Sequence, residues 1–217
     1  MANRSYLYST SQQSCLLGEN NLVIKDLSEW NYDIPLSYFI LVSGNSTLCP
    51  SLLTDTFKES IAGDHVFALS GDFNIGYARL VKFLSTLDVL FSKNEKSIKT
   101  EIQNTQSFLQ QYKNNYIYLE TIELDVMGFD ESEQLKAQTL EYLDFAKQLA
   151  NIIDSLPDNK NEAIELLAKA KITYLGNEAL LLDNICIDHN YDCSDKCFLL
   201  GITEWTNNLY FTLNSKN

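Results

Sequence analysis

The sequence predicts an α+β fold, a single domain with a small, mostly antiparallel sheet and several packed amphipathic helices. Two observations predict it. Short stretches of strand-like alternation lie near both ends of the chain, whereas longer runs with apolar residues at helical spacing fill the middle. No tract rich in proline, glycine or serine interrupts the 217 residues. We therefore expect one domain over 1–217, with the polar patch SKNEKS at 92–97 as the alternative boundary.

The first part of the chain predicts strands followed by a short helix. RSYLYS (4–9) alternates polar and apolar residues and predicts a strand. SCLLG (14–18) is its candidate hairpin partner, and NLVIKDL (21–27) is a third strand or an extended connection. In DIPLSYFILVSGN, Pro35 suits the first turn of a buried helix, and Gly44 is a natural stop for it.

A strand and two helices are expected next. HVFAL (65–69) predicts the strand, and SIKTEIQNTQSFLQQY (97–112) predicts the second helix. Asp72 suits the N-terminal cap of the first helix, because its carboxylate accepts from free backbone N–H groups. One apolar face of that helix is formed by Phe73, Tyr77, Leu80, Leu84, Leu87 and Phe91.

The second half contains the clearest helix of the chain. NYIYLETIEL (115–124) is rich in β-formers, and the helical pattern that follows stops before Pro157. NEAIELLAKAK (161–171) predicts one more helix, and WTNNLYFTL (205–213) a terminal strand or a hairpin that turns at Asn207–Asn208. The apolar face of the long helix comprises Leu135, Leu143, Ala146, Leu149, Ile153 and Leu156.

Net charge excludes some classes of partner. The formal charge is −13, and residues 95–217 contribute twenty acids and ten bases to it. Such a field repels phosphate backbones and anionic lipids, so we expect no nucleic-acid and no membrane binding. It attracts a basic protein, although acidity is also a common means of keeping a protein soluble.

The N-terminus and the cysteines indicate a reducing compartment. MANRSYLYST contains no apolar run that suits a signal-peptide core, and no stretch of the chain is apolar over the length of a transmembrane helix. We therefore expect a cytoplasmic protein whose five cysteines are thiols. The sequence does not indicate an oligomeric state.

Several stretches together resemble a known family. They are the opening MANRSYLYS, then LSEWNYDIPL with ILVSGN, then GDFNIGYARL, and the closing WTNNLYF. These resemble an uncharacterised family of bacterial proteins, of the kind classified as domains of unknown function. The resemblance covers mostly residues 1–91 and the last dozen residues. It implies a bacterial cytoplasmic protein, and it supplies neither an activity nor catalytic residues.

The stretch CIDHNYDCSDKC (186–197) is a candidate metal site. Cys186, His189, Cys193 and Cys197 are of the residue types that bind zinc. However, zinc ligands usually come as two close pairs separated by a longer loop, and here only three residues separate the pairs. The C-x3-C spacing also departs from the usual redox motif. An acidic surface loop with incidental thiols is the simpler interpretation, with zinc as the alternative cofactor.

Other candidate motifs have structural explanations. GDFNIGYARL could hold an anion at a helix start, but it lacks the lysine and hydroxyl residue of a phosphate-binding loop, so a cap and a tight turn explain it better. His65 beside Asp64 could form an acid–base pair, yet neighbours along a strand point to opposite faces. Trp30 and Tyr32 are expected in the core, with an interface as the alternative.

The segment ETIELDVMGFDESE (120–133) is the strongest candidate for a partner-binding surface. It holds six acids and no base. A solvated face is the ordinary role of such a run, and a docking surface for a basic protein is the functional alternative. The residues concerned are Glu120, Glu123, Asp125, Asp130, Glu131 and Glu133.

Two functions from different classes remain. The first is a non-enzymatic protein-binding module, in its sharpest form an immunity or inhibitor protein for a basic toxin. Net acidity, localised charge and the absence of familiar catalytic motifs favour it. The second is a small metal-binding protein or metal-dependent enzyme that uses the 186–197 residues. Zinc analysis of the purified protein separates the two.

Overall fold

The computed structural model describes residues 3–13, 22–57, 59, 61–62, 66–94, 97–185 and 193–213. Within these ranges it contains a five-stranded antiparallel sheet, a two-stranded hairpin and eight α-helices. This confirms the predicted α+β class. No helix in the described part of the chain has both the length and the apolarity needed to cross a membrane.

The main sheet joins strands that are far apart in sequence. Its strands are β1 (Arg4–Thr10), β2 (Ile24–Asn31), β3 (Thr47–Pro50), β4 (Phe67–Asp72) and β5 (Tyr116–Glu120). Their spatial order is β2-β1-β5-β4-β3, and each neighbouring pair is antiparallel. Leu7 of β1 therefore lies opposite Leu119 of β5, which makes the centre of the sheet a long-range contact.

The remaining elements are mostly helical. The helices are α1 (Leu36–Val42), α2 (Thr54–Phe57), α3 (Phe73–Asn94), α4 (Lys99–Tyr112), α5 (Ile122–Asp125), α6 (Ser132–Ser155), α7 (Lys160–Leu167) and α8 (Cys193–Leu199). A hairpin of β6 (Lys171–Tyr174) and β7 (Asn177–Leu180) leads into a 3₁₀ helix at Leu181–Ile185. All seven residues of α1 are buried, as expected for a helix that is apolar on every side.

Helices α1, α3 and most of α6 pack on one face of the sheet. Side chains alternate between faces along each strand, so Leu7, Ile117 and Leu119 point to the same side. There they join α1, α3 and α6 in the larger apolar core. Gly76 of α3 allows close packing, because a Cβ atom at this position would lie 1.8 Å from the carbonyl oxygen of Leu41 in α1.

The other face of the sheet carries a layer of tyrosines. Tyr6, Tyr8 and Tyr118 are fully buried there. Burying a phenol without a hydrogen bond is costly, and each of these hydroxyls has an acceptor. Tyr8 donates to the carbonyl of Phe211 at 2.7 Å, Tyr118 donates to that of Pro50 at 2.5 Å, and Tyr6 donates to the carboxylate of Glu123. This layer ties the C-terminal segment to the sheet.

Most predicted elements are present, and Asp72 caps α3 as expected. The strand predicted at 65–69 lies at Phe67–Asp72, and the helix predicted at 161–171 ends at Leu167. The proposed hairpin partner at 14–18 lies outside the described residues.

The prediction of a terminal strand or hairpin at 205–213 is wrong. That segment forms no strand, and a single bridge joins Trp205 to Ser28 of β2. It docks through side chains and through this bridge, where the backbone N–H of Thr206 donates to the carbonyl of Leu27 at 3.0 Å. The two ends of the chain therefore meet, but through contacts of a different kind.

Candidate functional site

A cleft of about 350 Å³ opens where four parts of the chain come together: the β2–α1 connection, the end of α5 with the turn after it, the first half of α6 and the β6–β7 turn. We call it the acidic cleft. Its volume is at the small end of the range for ligand sites. It is lined by Tyr32, Asp33, Ile34, Leu124, Asp125, Gly128, Phe129, Gln138, Tyr142, Tyr174 and Leu175.

Two residues at the rim of the acidic cleft have unusual backbone conformations. Tyr32 has a φ of 61° and Leu175 a φ of 49°, and both are non-glycine residues in the left-handed region. Leu175 and Gly176 form the two-residue turn between β6 and β7, a turn that demands positive φ at both positions. Asparagine is the usual first residue of such a turn, so leucine here departs from local preference. Strain of this kind is commonest at functional sites.

The ring of Tyr32 is not in the core, so the favoured prediction for this residue is wrong. The side chain is 65% exposed, because the left-handed backbone after β2 turns it away from the sheet. Trp30, by contrast, is half-buried and packs against Phe198 with ring centroids 4.4 Å apart. Trp30 therefore lies at the margin of the core, whereas Tyr32 lies at the acidic cleft.

Aromatic rings form the inner wall of the cleft. Tyr142 and Tyr174 stack with ring centroids 6.2 Å apart. Behind them Phe39 contacts both rings, and Phe145 contacts Tyr174 at 4.6 Å between centroids. These contacts join α1, α6 and β6, so the wall belongs to the packed core and is held in place by it.

Asp125 supplies a buried carboxylate to the cleft. Its Oδ2 accepts a hydrogen bond from Thr121 Oγ1 at 2.6 Å, and its Oδ1 accepts one from the phenol of Tyr142 at 2.9 Å. Burial raises the pKa of Asp125 to about 6, and the two hydrogen bonds oppose that rise. Asp33 lies exposed at the mouth, where its Oδ1 accepts from the backbone N–H of Ile34 at 2.7 Å.

The electrostatic character of the cleft is negative. It combines two carboxylates with aromatic faces, which are themselves electron-rich. Among the described residues that line it, none carries a positive charge. This arrangement favours a cationic ligand over a neutral or anionic one.

A second cleft, of about 450 Å³, has the opposite composition. Arg79 and Lys82 of α3 line it together with Asp154. Both cations have partners there. Arg79 forms a two-point pair with Asp154, at 2.8 and 2.6 Å, and Lys82 donates to the backbone carbonyl of the same residue at 3.4 Å. The paired cations make this a helix-to-helix link, which is a structural role.

The acidic segment 120–133 divides into an interior half and a surface half. The structure places Glu120, Glu123 and Asp125 in the interior, which corrects the expectation of six surface acids. The strand period explains the first of them, because Glu120 lies two residues after Tyr118 and points to the same buried face. The exposed acids are Asp130, Glu131 and Glu133, and their role in partner binding stays a prediction.

The buried carboxylate of Glu120 is held by neighbours that lie far away in sequence. Its Oε1 accepts from the backbone N–H of Leu52 at 2.5 Å, and its Oε2 from the hydroxyl of Ser51 at 2.8 Å. Burial raises the pKa of Glu120 to about 7, against the effect of these two donors. The raised pKa makes Glu120 a group that can take up or release a proton near neutral pH.

The candidate zinc residues are only partly described. Cys186 and His189 lie outside the described residues, as do Asp64 and His65. Cys193 is the first residue of α8, so the end of the segment is a helix where a loop was expected. Cys197 is buried in the larger core. Across the described ranges, no three His, Cys, Asp or Glu residues are grouped closely enough to hold a metal ion.

Several cleft residues have no signal in the sequence. Phe129 follows α5, Gln138 and Tyr142 lie on α6, and Tyr174 ends β6, and none of them belongs to a recognisable motif. Two hints were available: Asp125, which lies in the acidic run, and Tyr32, for which an interface was the alternative to the core. Asp125 reaches the cleft from inside the protein, through the short helix α5.

Fold and site together define an α+β protein with an acidic, aromatic-walled cleft. The chain belongs to the family described as a domain of unknown function, DUF7822, which matches residues 16–170. The match includes α5, α6 and most of the acidic cleft. Comparison with curated proteins and comparison with solved structures each found no match.

Proposed function

We propose that this chain is a non-enzymatic module that binds a basic protein in the bacterial cytoplasm. The acidic cleft carries the proposal, because it offers carboxylates and aromatic faces without a competing cation among its described lining residues. In its sharpest form the module is an immunity or inhibitor protein, and its partner is a basic toxin.

The exposed acids beside the cleft extend the same surface. Asp130, Glu131 and Glu133 follow directly after Gly128 and Phe129, which line the cleft. With a formal net charge of −13, the chain attracts a basic partner over several ångströms and speeds its encounter. In this proposal the exposed acids steer the partner, and the cleft provides the short-range contact.

Binding to a defined basic peptide tests the proposal. We would titrate a 12-residue peptide with four arginines into the full chain at several salt concentrations. The triple variant D130N/E131Q/E133Q removes three surface charges next to the cleft, and D158N/E162Q/E165Q removes three from the α6–α7 region as the matched control. We expect the first variant to lower the association rate by roughly fivefold at low salt, and the control by less than twofold. Equal effects of the two variants would contradict the proposal.

The immunity role has its own test. The chain would be co-expressed with each basic protein encoded beside its gene, and cell survival would be scored. Rescue by the native chain, reduced by the D130N/E131Q/E133Q variant and retained by the control, is the expected result. If the chain protects cells from none of these proteins, the immunity role is refuted. The peptide titration then still decides whether the chain binds basic partners.

A further inference from the structure

We propose that the acidic cleft receives one arginine side chain of the partner, with its guanidinium against the aromatic wall and its N–H groups directed at Asp33 and Asp125. This inference rests on the proposed function, since it names the group through which a basic partner is recognised. It assigns the cleft one ligand group, a guanidinium. The general attraction between opposite charges would not distinguish this group from any other cation.

The walls of the cleft favour a flat cation. Tyr142 and Tyr174 present a stacked pair, while Tyr32 and Phe129 stand exposed at the rim. A guanidinium is planar and weakly hydrated, so it loses little on leaving water and gains by stacking on such rings. A lysine ammonium is compact and strongly hydrated, and it loses more on entering a cleft with apolar walls.

The carboxylates favour a cation with several donors. Each oxygen of Asp125 already accepts one hydrogen bond, from Thr121 or from Tyr142. A carboxylate oxygen has capacity for a second bond, and the two internal bonds fix the orientation of the group before a ligand arrives. Asp33 at the mouth adds a second acceptor group, held by the backbone of Ile34. The five N–H donors of a guanidinium suit acceptors in two directions.

The size of the cleft limits what can enter. A volume of about 350 Å³ accommodates one long side chain, whereas a helix or a strand of the partner would need a groove. The exposed rim residues Tyr32, Phe129 and Leu175 then contact the partner around the inserted group. A single anchor surrounded by apolar contacts is the usual arrangement of an interface hot spot, and arginine is among the commonest anchors.

A set of single-substitution peptides tests the inference. The probes are four seven-residue peptides, glycine–serine repeats with arginine, lysine, citrulline or glutamate at the centre. They would be titrated into the full chain at pH 8, where Asp125 is ionised, with the backbone amide signals of Gly128, Phe129 and Leu175 followed by NMR. We expect the arginine peptide to bind with a dissociation constant on the order of 1 mM and to shift these signals. Citrulline has the same shape without the charge, and we expect no binding from it.

Two variants locate the binding. D33N keeps the acceptor for the Ile34 amide but removes the charge, and Y32N removes a rim ring while tolerating the left-handed backbone. We expect each to weaken the arginine peptide at least fivefold, and E165Q on α7 to leave its affinity unchanged. Circular dichroism of each variant confirms that the fold is retained.

The outcomes separate this inference from the proposed function. If D33N and Y32N bind the arginine peptide as tightly as the native chain does, the cleft is not the arginine site. Basic-partner binding then still stands if D130N/E131Q/E133Q slows association of the four-arginine peptide. Equal affinity for the lysine and arginine peptides overturns the choice of arginine. If neither the single-arginine peptide nor the four-arginine peptide binds at low salt, both proposals fail.

Discussion

The phenol of Tyr142 on α6 donates a hydrogen bond to Oδ1 of Asp125 at the end of α5, at 2.9 Å and across 17 residues. The same tyrosine forms the aromatic wall of the acidic cleft, so one side chain both builds the wall and orients the carboxylate. Burial raises the pKa of Asp125 to about 6, above its ordinary 3.8. The stability of this part of the fold therefore depends on pH.

Replacing Tyr142 with phenylalanine tests this relationship. The Tyr142→Phe variant keeps the ring but removes one of two donors to a buried carboxylate, which raises the pKa of Asp125 further. An ionised group that loses a donor in the interior costs about 1–3 kcal/mol. We expect a loss of that size in the free energy of unfolding at pH 8, and a smaller loss at pH 5, where Asp125 is mostly protonated. Urea denaturation at both pH values measures it.

The matched control for this variant is Tyr32→Phe. It removes a phenol hydroxyl from an exposed ring at the same cleft, and we expect it to leave stability unchanged. An equal loss for Tyr142→Phe at pH 5 and pH 8 would show that the hydrogen bond does not favour the ionised form of Asp125 over the protonated form.

Glu120 gives the fold a second pH-dependent contribution. Its pKa is about 7 in the folded protein and 4.5 when unperturbed, because burial disfavours the charged form. The folded state thus retains a proton that the unfolded state has lost between these values. Stability from this group is complete below about pH 4.5 and is lost as the pH rises through 7. The total loss is about 3 kcal/mol, since each pKa unit corresponds to about 1.4 kcal/mol.

The Glu120→Gln variant removes this pH dependence. The amide oxygen of glutamine accepts from the Leu52 N–H, and its amide N–H groups donate to the Ser51 hydroxyl. We expect the variant to exceed the native chain in stability at pH 8, with the difference shrinking towards pH 5. Urea denaturation between pH 5 and pH 8 measures this difference. Glu165→Gln, an exposed neutralisation, is the control, and parallel curves for native and E120Q protein would refute the assignment.

The sequence predicts those elements whose signals are local. Pro35 indicates where α1 starts, Asp72 the start of α3, and Pro157 lies just beyond the end of α6 at Ser155. Each acts on its own backbone or within one helical turn, so no knowledge of the rest of the fold is needed. Apolar spacing then assigns the buried faces of the long helices correctly.

Features that depend on distant partners could not be predicted in this way. Glu120 is interior because Leu52, 68 residues earlier, supplies its donor, whereas the local sequence resembles an acidic surface run. In the β-rich segment at 115–124, the strand β5 ends at Glu120 and the short helix α5 begins at Ile122. This helix brings Asp125 within hydrogen-bond distance of Tyr142. The acidic cleft likewise needs four parts of the chain, so the sequence identified one of its acids, Asp125, but not the position of the cleft.

The cap of α3 is a local feature with a measurable contribution. The Oδ1 atom of Asp72 accepts from the backbone N–H of Ile75 at 3.0 Å, which satisfies one of the free donors at the helix start. We expect Asp72→Ala to lower the free energy of unfolding by about 1 kcal/mol, and Asp72→Asn, which keeps the acceptor, to lower it by less than half of that. Thermal and urea denaturation compare the three proteins. A loss as large for asparagine as for alanine would mean that the charge, and not the hydrogen bond, stabilises the helix.

The close contact between Gly76 and α1 predicts that alanine at this position destabilises the protein, the opposite of its usual effect within a helix. Glycine inside a helix ordinarily costs about 0.5–1 kcal/mol relative to alanine, so Gly→Ala within α3 would normally stabilise it. At Gly76 the added Cβ would lie 1.8 Å from the carbonyl oxygen of Leu41, and both groups belong to packed backbone. We therefore expect Gly76→Ala to destabilise the protein by about 3 kcal/mol or more.

Gly128 offers the matched substitution for this test. A Cβ atom there would meet its nearest neighbour, the carbonyl oxygen of Asp125, at 3.9 Å, which is an ordinary contact. We expect Gly128→Ala to change stability by less than about 1 kcal/mol, in the stabilising direction, because alanine restricts the unfolded chain. Urea denaturation of the two variants beside the native chain decides the matter. If Gly76→Ala is as stable as Gly128→Ala, α1 and α3 do not pack backbone to backbone at this position, and the helical layer over the sheet must be arranged differently.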